Sequence, residues 1–342
     1  MLRLSVLDQS TIVTGRTPAA SIRESLALAR HCEALGYHRY WLAEHHNSEA
    51  IAGTAPEVLI AAIAATTDRI RVGSAGVMLP HYSSLKVAEQ FRVLEAIAPG
   101  RIDLGLGRAP GSDGLTAYAL NPNAATAAAH FPAQVRDLLD WLAGRPLAEG
   151  HPFRDIRAQP AGPGEPEVWM LGSSDYGAQV AAHFGLPYCF AHFITGGRGC
   201  AEALAVYRDG YRPSARHPTP HAALTVWALA AETEAEAERQ FSSRAEWWLG
   251  RERGMFAALP SPEEAAARSY SEAEQESAAR LRRRAIVGTG VQVARMLLDL
   301  AAANGVEEIA ILTTTHDPEA RRRSYALVAE ALADAQVALA AE

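Results

Sequence analysis

The sequence holds little cysteine and no long apolar run. Its 342 residues include three cysteines, Cys32, Cys189 and Cys200, whose odd number and spacing suit neither a disulfide framework nor a metal site. No apolar run reaches the roughly 18 residues that a membrane-spanning helix requires. Residues 2–7 predict a strand directly after Met1, without the charged and apolar regions of a signal peptide. We therefore expect a soluble, cytoplasmic protein with reduced cysteines and no membrane contact.

Excess positive charge is also absent. The chain carries 32 Lys and Arg against 39 Asp and Glu, a formal net charge of -7, which argues against a nucleic-acid partner. Hydrophobic residues make up 49% of the chain and charged residues 21%, so the sequence can bury a sizeable core. The sequence has no recognisable linker or internal repeat, and we expect one domain over residues 1–342.

Stretches with the apolar pattern of buried strands alternate with stretches of helical period along the whole chain. The predicted strands cover residues 3–8, 37–45, 70–79, 101–107, 167–171, 187–193, 221–230 and 307–312. Eight strands, each followed by a helix, predict a (β/α)8 TIM barrel of the α/β class. The main alternative, a doubly wound sheet, normally has a glycine-rich turn after the first strand, and Asp8-Gln9-Ser10 offers none.

Two insertions interrupt this alternation. Residues 144–166, after the fourth helix, are rich in proline and glycine and predict an irregular excursion. Residues 250–284, before the last helix–strand unit, are charged and contain Pro260 and Pro262. We expect this second insertion to be a long surface loop that acts as a mobile lid, because long loops in compact domains are commonly functional.

Polar residues collect at the carboxyl ends of the predicted strands, which surround the active site of a TIM barrel. Imidazole titrates near neutral pH, so a histidine there can exchange a proton during a reaction. Two adjacent histidines alone are more often structural, and the argument depends on several strands ending in the same way. The residues at these ends are Asp8, Gln9, Ser10, Glu44, His45, His46, Met78, His81, Tyr82, Gly105, Gly107, Arg108, Gly172, Ser173, Ser174 and His192.

Two of these strand ends predict a phosphate site. Arg108 follows two glycines, and its guanidinium can approach a phosphate with paired donors. Gly172-Ser173-Ser174 leads into a helix, whose free N–H groups favour an anion. Alternatively, Arg108 pairs with Asp103 or Asp113, and a serine simply caps the helix. Because the two strands are neighbours, we expect one shared phosphate site.

The motifs together resemble one known family. Glu44-His45-His46, the segments 72–80 and 100–108, and the shorter segments 184–187 and 287–289 occur in an order similar to that of the bacterial luciferase-like flavin-dependent monooxygenases. The resemblance extends from the first strand to the last helix. The turn at 171–176 is similar to that of the alkanal-monooxygenase-like branch.

This resemblance implies FMN bound at the mouth of the barrel. His45 would assist the oxygen chemistry of the flavin, Arg108 and Ser174 would bind the phosphate together with Gly172 and Ser173, and Ser74-Ala75-Gly76 would lie against the flavin ring. The family often has a non-proline cis peptide at the last of these segments. The resemblance also implies a homodimer centred on the helix at 57–67, whose Ala61, Ala62, Ala64 and Ala65 would permit close helix approach.

Two positions depart from the pattern of true luciferases. The family's reactive cysteine corresponds to Gly107, and the acidic residue before the phosphate-binding serine corresponds to Ser173. We therefore do not expect light emission from a long-chain aldehyde. The sequence carries no readable code for the substrate.

The sequence thus predicts an FMN-dependent monooxygenase. Reduced FMN, supplied by a separate and transient flavin reductase, would react with O2 to give a C4a-hydroperoxyflavin that oxidises a small organic substrate. One alternative is a hydride-transferring oxidoreductase that uses F420 on the same barrel, and another is a non-catalytic flavin-binding protein. A weaker alternative is a metal-dependent hydrolase built on His45, His46, His81 and His192, but the His-x-His common on the first strand of such barrels is missing, and we expect no metal.

Overall fold

A computed structural model describes residues 1–341 of the chain and its side chains up to residue 338. Eight parallel strands of the described chain close a barrel in the order β1-β2-β3-β4-β5-β6-β7-β9, with β9 pairing back to β1. The predicted (β/α)8 barrel is therefore confirmed. The strands are β1 (Arg3–Asp8), β2 (Arg39–Leu42), β3 (Arg71–Met78), β4 (Ile102–Gly107), β5 (Glu167–Gly172), β6 (Tyr188–Phe190), β7 (Ala222–Ala231), β8 (Ile286–Thr289) and β9 (Glu308–Leu312).

Helices surround this barrel and cover the outer face of the strands. Two of the helices that follow a strand begin with a polar cap: Thr17 and Ser83 accept hydrogen bonds from the first turns of α1 and α3. The helices within residues 1–341 are α1 (Pro18–Ala34), α2 (Pro56–Ala64), α3 (Ser84–Ile97), α4 (Gly114–Leu120), α5 (Ala124–Ala129), α6 (Phe131–Leu142), α7 (Asp175–Phe184), α8 (His192–Thr195), α9 (Cys200–Asp209), α10 (Glu234–Glu252), α11 (Pro262–Ala266), α12 (Glu272–Arg284), α13 (Gly290–Asn304) and α14 (Pro318–Ala341). No helix in this range is long and apolar enough to cross a membrane.

The core has two layers because adjacent side chains of a strand point to opposite faces. In β2, Tyr40 and Leu42 pack outward against the helices, whereas Trp41 lies in the cluster that fills the barrel. The Trp41 and Trp169 rings meet edge to face there, with centroids 5.1 Å apart.

A buried ion-pair network closes the amino-terminal end of the barrel. The guanidinium of Arg39 donates to Asp103, Glu167 and Glu308 at 2.8–2.9 Å, and these carboxylates lie at the starts of β4, β5 and β9. Arg71 donates from its Nε to Asp103 at 2.9 Å. Because every charge has a partner, the network can remain buried. It joins five strands, β2, β3, β4, β5 and β9, at the end opposite to their carboxyl ends.

Several predicted element boundaries are wrong. β2 ends at Leu42 rather than at His45, because the backbone then turns so that the His45 N–H bonds the carbonyl of Gly53 at 3.0 Å. β6 ends at Phe190, and His192 begins the short helix α8. β8 lies outside the predicted set of strands and pairs with residues 228–231 of β7. It has only four residues, too few for a clear periodic pattern.

The segment 250–284, predicted as a loop, is largely helical. α11 and α12 each begin with a capping box, formed by Ser261 with Glu264 and by Ser271 with Glu274. The Ser277 hydroxyl donates to Glu252 of α10 at 2.8 Å, which ties α12 to that helix. The many glutamates and arginines of this segment therefore form helix caps and surface ion pairs. A charge count alone does not distinguish such a helical segment from a charged loop. Its mobility stays a prediction.

Candidate active site

A cavity of about 310 Å³ opens at the carboxyl ends of the strands. Its volume lies at the lower end of the range for small-molecule sites. The wall includes residues from the ends of several strands, as expected for the active site of a TIM barrel. The predicted site residues that line it are His45, Ala75, Gly76, Arg108, Gly172, Ser173 and Ser174.

His45 reaches the cavity from the segment after β2. Its side chain is half-buried, and its Nδ1 atom is buried without a hydrogen-bond partner among residues 1–341. Burial, with a smaller contribution from the positive charge of Arg251, lowers the pKa of His45 to about 4. The imidazole is therefore neutral at pH 7.

His46 points away from this cavity and supports its wall. It shares a hydrogen bond of 2.8 Å with Glu44, which is 1% exposed. The same carboxylate accepts hydrogen bonds from the Tyr82 hydroxyl at 2.7 Å and from the Met78 N–H at 3.1 Å. Glu44 thus joins the segments that follow β2 and β3, and His46 is one of its three partners.

Arg108 is exposed at the mouth of the cavity, where its guanidinium carbon lies 3.9 Å from the centre of the Tyr176 ring. Neither alternative partner is available, because Asp103 binds Arg39 and Arg71, and Asp113 caps α4. Within residues 1–341, no carboxylate lies within 4.0 Å of Arg108. Its charge is free to meet an anion.

Ser174 occupies the N-cap position of α7, but its hydroxyl makes no capping hydrogen bond in the described structure. Its carbonyl accepts a bond of 3.1 Å from the Tyr188 hydroxyl, which fixes the turn. The first N–H groups of a helix lack intrahelical partners and favour an anion. Asp175, in the first turn, is exposed and does not line the cavity. The guanidinium of Arg108 packs on the ring of Tyr176, which belongs to the same turn. The two predicted halves of a phosphate site are therefore adjacent.

The segment Ser74-Ala75-Gly76 forms another wall of the cavity. The peptide bond between Ala75 and Gly76 is cis, as the resemblance implies. A Cβ atom on Gly76 would lie 2.6 Å from the carbonyl oxygen of Gly105, so this close approach requires glycine. Ser74 does not line the cavity: it is fully buried, and its hydroxyl donates to the Gly105 carbonyl at 2.9 Å and accepts from the Gly105 N–H at 3.0 Å. Ser74 therefore supports the wall rather than facing a ligand.

Gly107 lies in this wall at the position of the luciferase cysteine. A Cβ atom there would meet the sulfur of Met78 at 3.1 Å. Cys189 also lines the cavity, but burial raises its pKa to about 12, so its thiol is protonated at neutral pH. It does not replace a reactive cysteine.

Sequence reasoning missed several residues of the wall. These residues come from interior positions of strands or from helices that carry no polar motif, so only the fold brings them to the cavity. A signal was present for Thr225 alone, a polar residue within an apolar strand. The missed residues are Phe131, Cys189, Phe193, Ile194 and Thr225.

The four histidines of the hydrolase alternative do not form a metal site. His81 bonds the carbonyl of Pro110 through its Nε2 atom at 2.7 Å, and His46 bonds Glu44. In the part of the chain that the structure describes, no three His, Cys, Asp or Glu side chains are grouped so that they could hold a metal ion.

A closed parallel barrel with a cavity at the carboxyl ends of its strands is the arrangement found in TIM-barrel enzymes. The family model described as luciferase-like monooxygenase matches residues 2–308. The chain therefore belongs to the luciferase-like monooxygenase family, as the motifs predict.

Two relatives match nearly the whole chain. A luciferase-like monooxygenase of Escherichia coli is 39% identical over 327 residues, which cover 95% of this chain and 96% of the relative. The N-acetyl-S-alkylcysteine monooxygenase of Bacillus subtilis is 36% identical over 332 residues, which cover 97% of this chain and 98% of the relative.

Among solved structures, apo-MsnO8 is 38% identical with a TM-score of 0.88, covering 97% of this chain and 98% of that one. Two more distant structures share the fold. The oxygenating constituent of the 3,6-diketocamphane monooxygenase of Pseudomonas putida, in complex with FMN, has a TM-score of 0.73 at 20% identity and covers 98% of both chains. An F420-dependent secondary alcohol dehydrogenase has a TM-score of 0.63 at 13% identity and covers 97% of this chain and 99% of that one.

Proposed function

We propose that this protein is a monooxygenase that uses reduced FMN and O2 to oxidise a small organic substrate. The observation that carries this proposal is the meeting of Arg108 and the first turn of α7 at the cavity that His45 lines. A phosphate group would find a free cation, an uncommitted hydroxyl on Ser174 and helix N–H groups in one place.

The residues of the cavity fit FMN in distinct ways. Arg108, Ser173 and Ser174 would hold the phosphate, Gly172 would admit it closely, and Ala75 and Gly76 would lie against the ring. The flavin, when bound and reduced, supplies the activation of O2 and the transfer of one oxygen atom. The protein binds and orients it and keeps water away.

His45 would act as the catalytic residue of this chain. A neutral imidazole that lines the cavity can donate or accept a hydrogen bond there and pass on a proton. Because the pKa of His45 is about 4, it would not add a positive charge next to the ring at neutral pH.

The F420 alternative stays open because an F420-dependent dehydrogenase shares this fold. The names of the relatives above 30% identity favour the monooxygenase instead. A separate flavin reductase, a homodimer and a cytoplasmic location belong to the same proposal. The N-acetyl-S-alkylcysteine relative offers a first substrate to assay.

The test begins with titration of the purified protein with FMN, riboflavin and F420, followed by visible absorbance. The protein is then supplied with reduced FMN and isotopically labelled O2, and the products formed from an N-acetyl-S-alkylcysteine and from a panel of other small organic compounds are examined by mass spectrometry. Because free reduced FMN consumes O2 by itself, a reaction without protein is the control. Protein-dependent transfer of labelled oxygen to a substrate is the expected result.

Tight binding of F420 but not FMN, with hydride transfer and no labelled product, would replace the proposal with the F420 alternative. FMN binding without any protein-dependent turnover across the panel would favour a flavin-binding protein.

A further inference from the structure

A second cavity, of about 200 Å³, lies beside the candidate flavin cavity. The two share Phe193 and Ile194 of α8 as wall residues. The second cavity is further enclosed by α10 and α12, so the segment 250–284 forms part of its wall. Trp227 and Trp248 contribute large apolar surfaces. A ligand here would lie next to the candidate flavin site.

Arg244 of α10 is the notable residue of this cavity. Its side chain is 7% exposed, and its Nε atom is buried without a hydrogen-bond acceptor in the described structure. No carboxylate within residues 1–338 lies within 4.0 Å of its guanidinium, which packs instead over the Trp227 ring with 4.2 Å to the ring centre. A buried charge normally has a counter-charge, and Arg244 has none.

The surroundings of Arg244 do not supply that counter-charge. Burial lowers the pKa of Arg244 to about 9, and the charge of Arg251 contributes to the shift, so the guanidinium is still charged at pH 7. Glu252 lines the same cavity, but its carboxylate accepts hydrogen bonds from the Ser277 hydroxyl and, at 3.0 Å, from the Trp248 indole. It is therefore already engaged.

The other titratable side chains of the wall add no negative charge. Arg280 at the rim pairs with Glu276 at 3.1 Å, and burial lowers the pKa of His192, which favours the neutral form. Arg198 and Arg284 are exposed at the rim and line the cavity. Three of the four wall arginines thus have no carboxylate partner among residues 1–338, and an anion is the ligand that this arrangement lacks.

We propose that this second cavity binds the anionic group of the substrate, a carboxylate or sulfonate on an organic acid with an apolar body. Arg244 would contact the anion, and Trp227, Phe193 and Ile194 would contact the apolar body that leads to the flavin cavity. This inference rests on the proposed function only in naming the ligand as the substrate. The geometry of the cavity itself is independent of the cofactor.

The test measures binding by calorimetry with three matched probes, hexanoate, hexanesulfonate and the neutral hexanamide, on flavin-free and FMN-loaded protein. At least one of the two acids is expected to bind, and hexanamide to bind at least ~10-fold more weakly, because a charge-assisted contact is worth about ten- to hundredfold in affinity. The two acids distinguish a carboxylate site from a sulfonate site. Absence of binding by both acids at millimolar concentration, or equal binding of hexanamide, would overturn the proposal.

Arg244→Met removes the charge and keeps an apolar stem, whereas Arg283→Met removes an exposed charge from α12 outside the cavity wall. Arg244→Met is expected to lose the acid ~10- to 100-fold, and Arg283→Met to bind as the wild type does. Arg244→Lys, which keeps the charge, should bind between the two. Wild-type affinity in Arg244→Met would overturn the proposal.

Thermal unfolding separates a binding role from a structural one. The acid should raise the Tm of the wild type and leave that of Arg244→Met unchanged, and without ligand the variant should be at least as stable, because an uncompensated charge has been removed. A large fall in Tm with unaltered acid binding would make Arg244 structural.

The FMN titration separates this inference from the proposed function. If Arg244→Met weakens FMN but not riboflavin, Arg244 serves the flavin phosphate and the inference fails. If FMN does not bind the wild type while the acid still requires Arg244, the proposed function fails and the anion site remains.

Discussion

The guanidinium carbon of Arg108 lies 3.9 Å from the centre of the Tyr176 ring, so a residue after β4 rests on the first turn of α7. This stacking holds the cation in place without neutralising it. It also makes the position of Arg108 depend on the helix whose amino terminus it accompanies. The two parts of the candidate phosphate site therefore lie in direct contact.

Arg108→Ala should weaken FMN much more than riboflavin, because the lost partner is the phosphate. A charge-assisted hydrogen bond contributes about 1.5–3 kcal/mol, which corresponds to roughly ten- to hundredfold in affinity. Visible absorbance titration with both flavins measures the difference, and Arg145→Ala, which removes an exposed arginine far along the chain, is the matched control. Equal weakening of both flavins would mean that Arg108 serves the fold or the ring.

His45→Ala should keep FMN affinity within a few fold of the wild type but lose substrate oxidation and release more hydrogen peroxide. The reason is that the candidate phosphate and ring contacts lie on other strands, whereas His45 supplies a neutral imidazole to the cavity wall. Product and peroxide are measured in the same reaction. Coupled turnover at the wild-type rate would refute a catalytic role for His45.

His46→Ala is the matched control for that experiment, and it should act on stability. Loss of the imidazole removes one of three partners of the buried Glu44 carboxylate, at a cost of about 1–3 kcal/mol. Denaturant unfolding measures this loss. A His46→Ala variant that is fully stable but has lost oxidation would show that His46, rather than His45, has the catalytic role.

Stability should fall as the pH drops from about 6.5 towards 4, in part through His45. Its folded pKa of about 4 lies below its ordinary value of 6.5, so the unfolded chain binds the proton first and is favoured as the pH falls through this window. His45→Ala should show a smaller loss between these pH values. Arg251→Gln should raise the pKa of His45 modestly, since burial is the larger cause, and NMR titration of the imidazole measures it.

The segment 250–284 is predicted to be a lid, and limited proteolysis tests this. Trypsin should cut first at Arg253 or Arg268, which precede the links into α11 and α12. FMN together with a bound organic acid should protect both sites, because the second cavity is partly walled by α12. Resistance equal to that of the remaining barrel, with or without ligands, would speak against a lid.

A homodimer centred on α2 is predicted. The exposure of its alanines limits which of them can lie in the dimer interface. Ala64 is buried in the core, whereas Ala65 is exposed just after the helix and Val58 of the same helix is 62% exposed. Ala65→Arg should therefore produce monomers without disturbing the fold. Analytical ultracentrifugation gives the mass, and a dimer in both Ala65→Arg and the wild type would place the interface elsewhere.

The barrel was predictable because its strands are buried and apolar while their carboxyl ends are polar. His45, Arg108 and Ser174 follow strands that the pattern identifies, so their approach to one cavity followed from the topology alone. The same pattern predicted too long a β2, because an apolar run does not show where the hydrogen bonding to neighbouring strands ends.

Other features depend on contacts between distant segments. Ser74 belongs to the family motif, but its hydroxyl forms hydrogen bonds with Gly105 of the neighbouring β4. These bonds depend on the register between β3 and β4, which the sequence motif does not show. Arg244 lies in a charged helix and looks like many surface arginines in the sequence. Its burial depends on Trp227 and on α12 folding over it.

The network around Arg39 has a consequence for how variable such a protein can be. The five strands that it joins are held at their amino ends, and none of its residues lines either cavity. Loops at the opposite rim can be shortened, lengthened or exchanged without breaking any of these ion pairs. New specificities can thus be grafted onto this scaffold one rim segment at a time, and α11 and α12 form the segment whose replacement leaves the closed ring of strands intact.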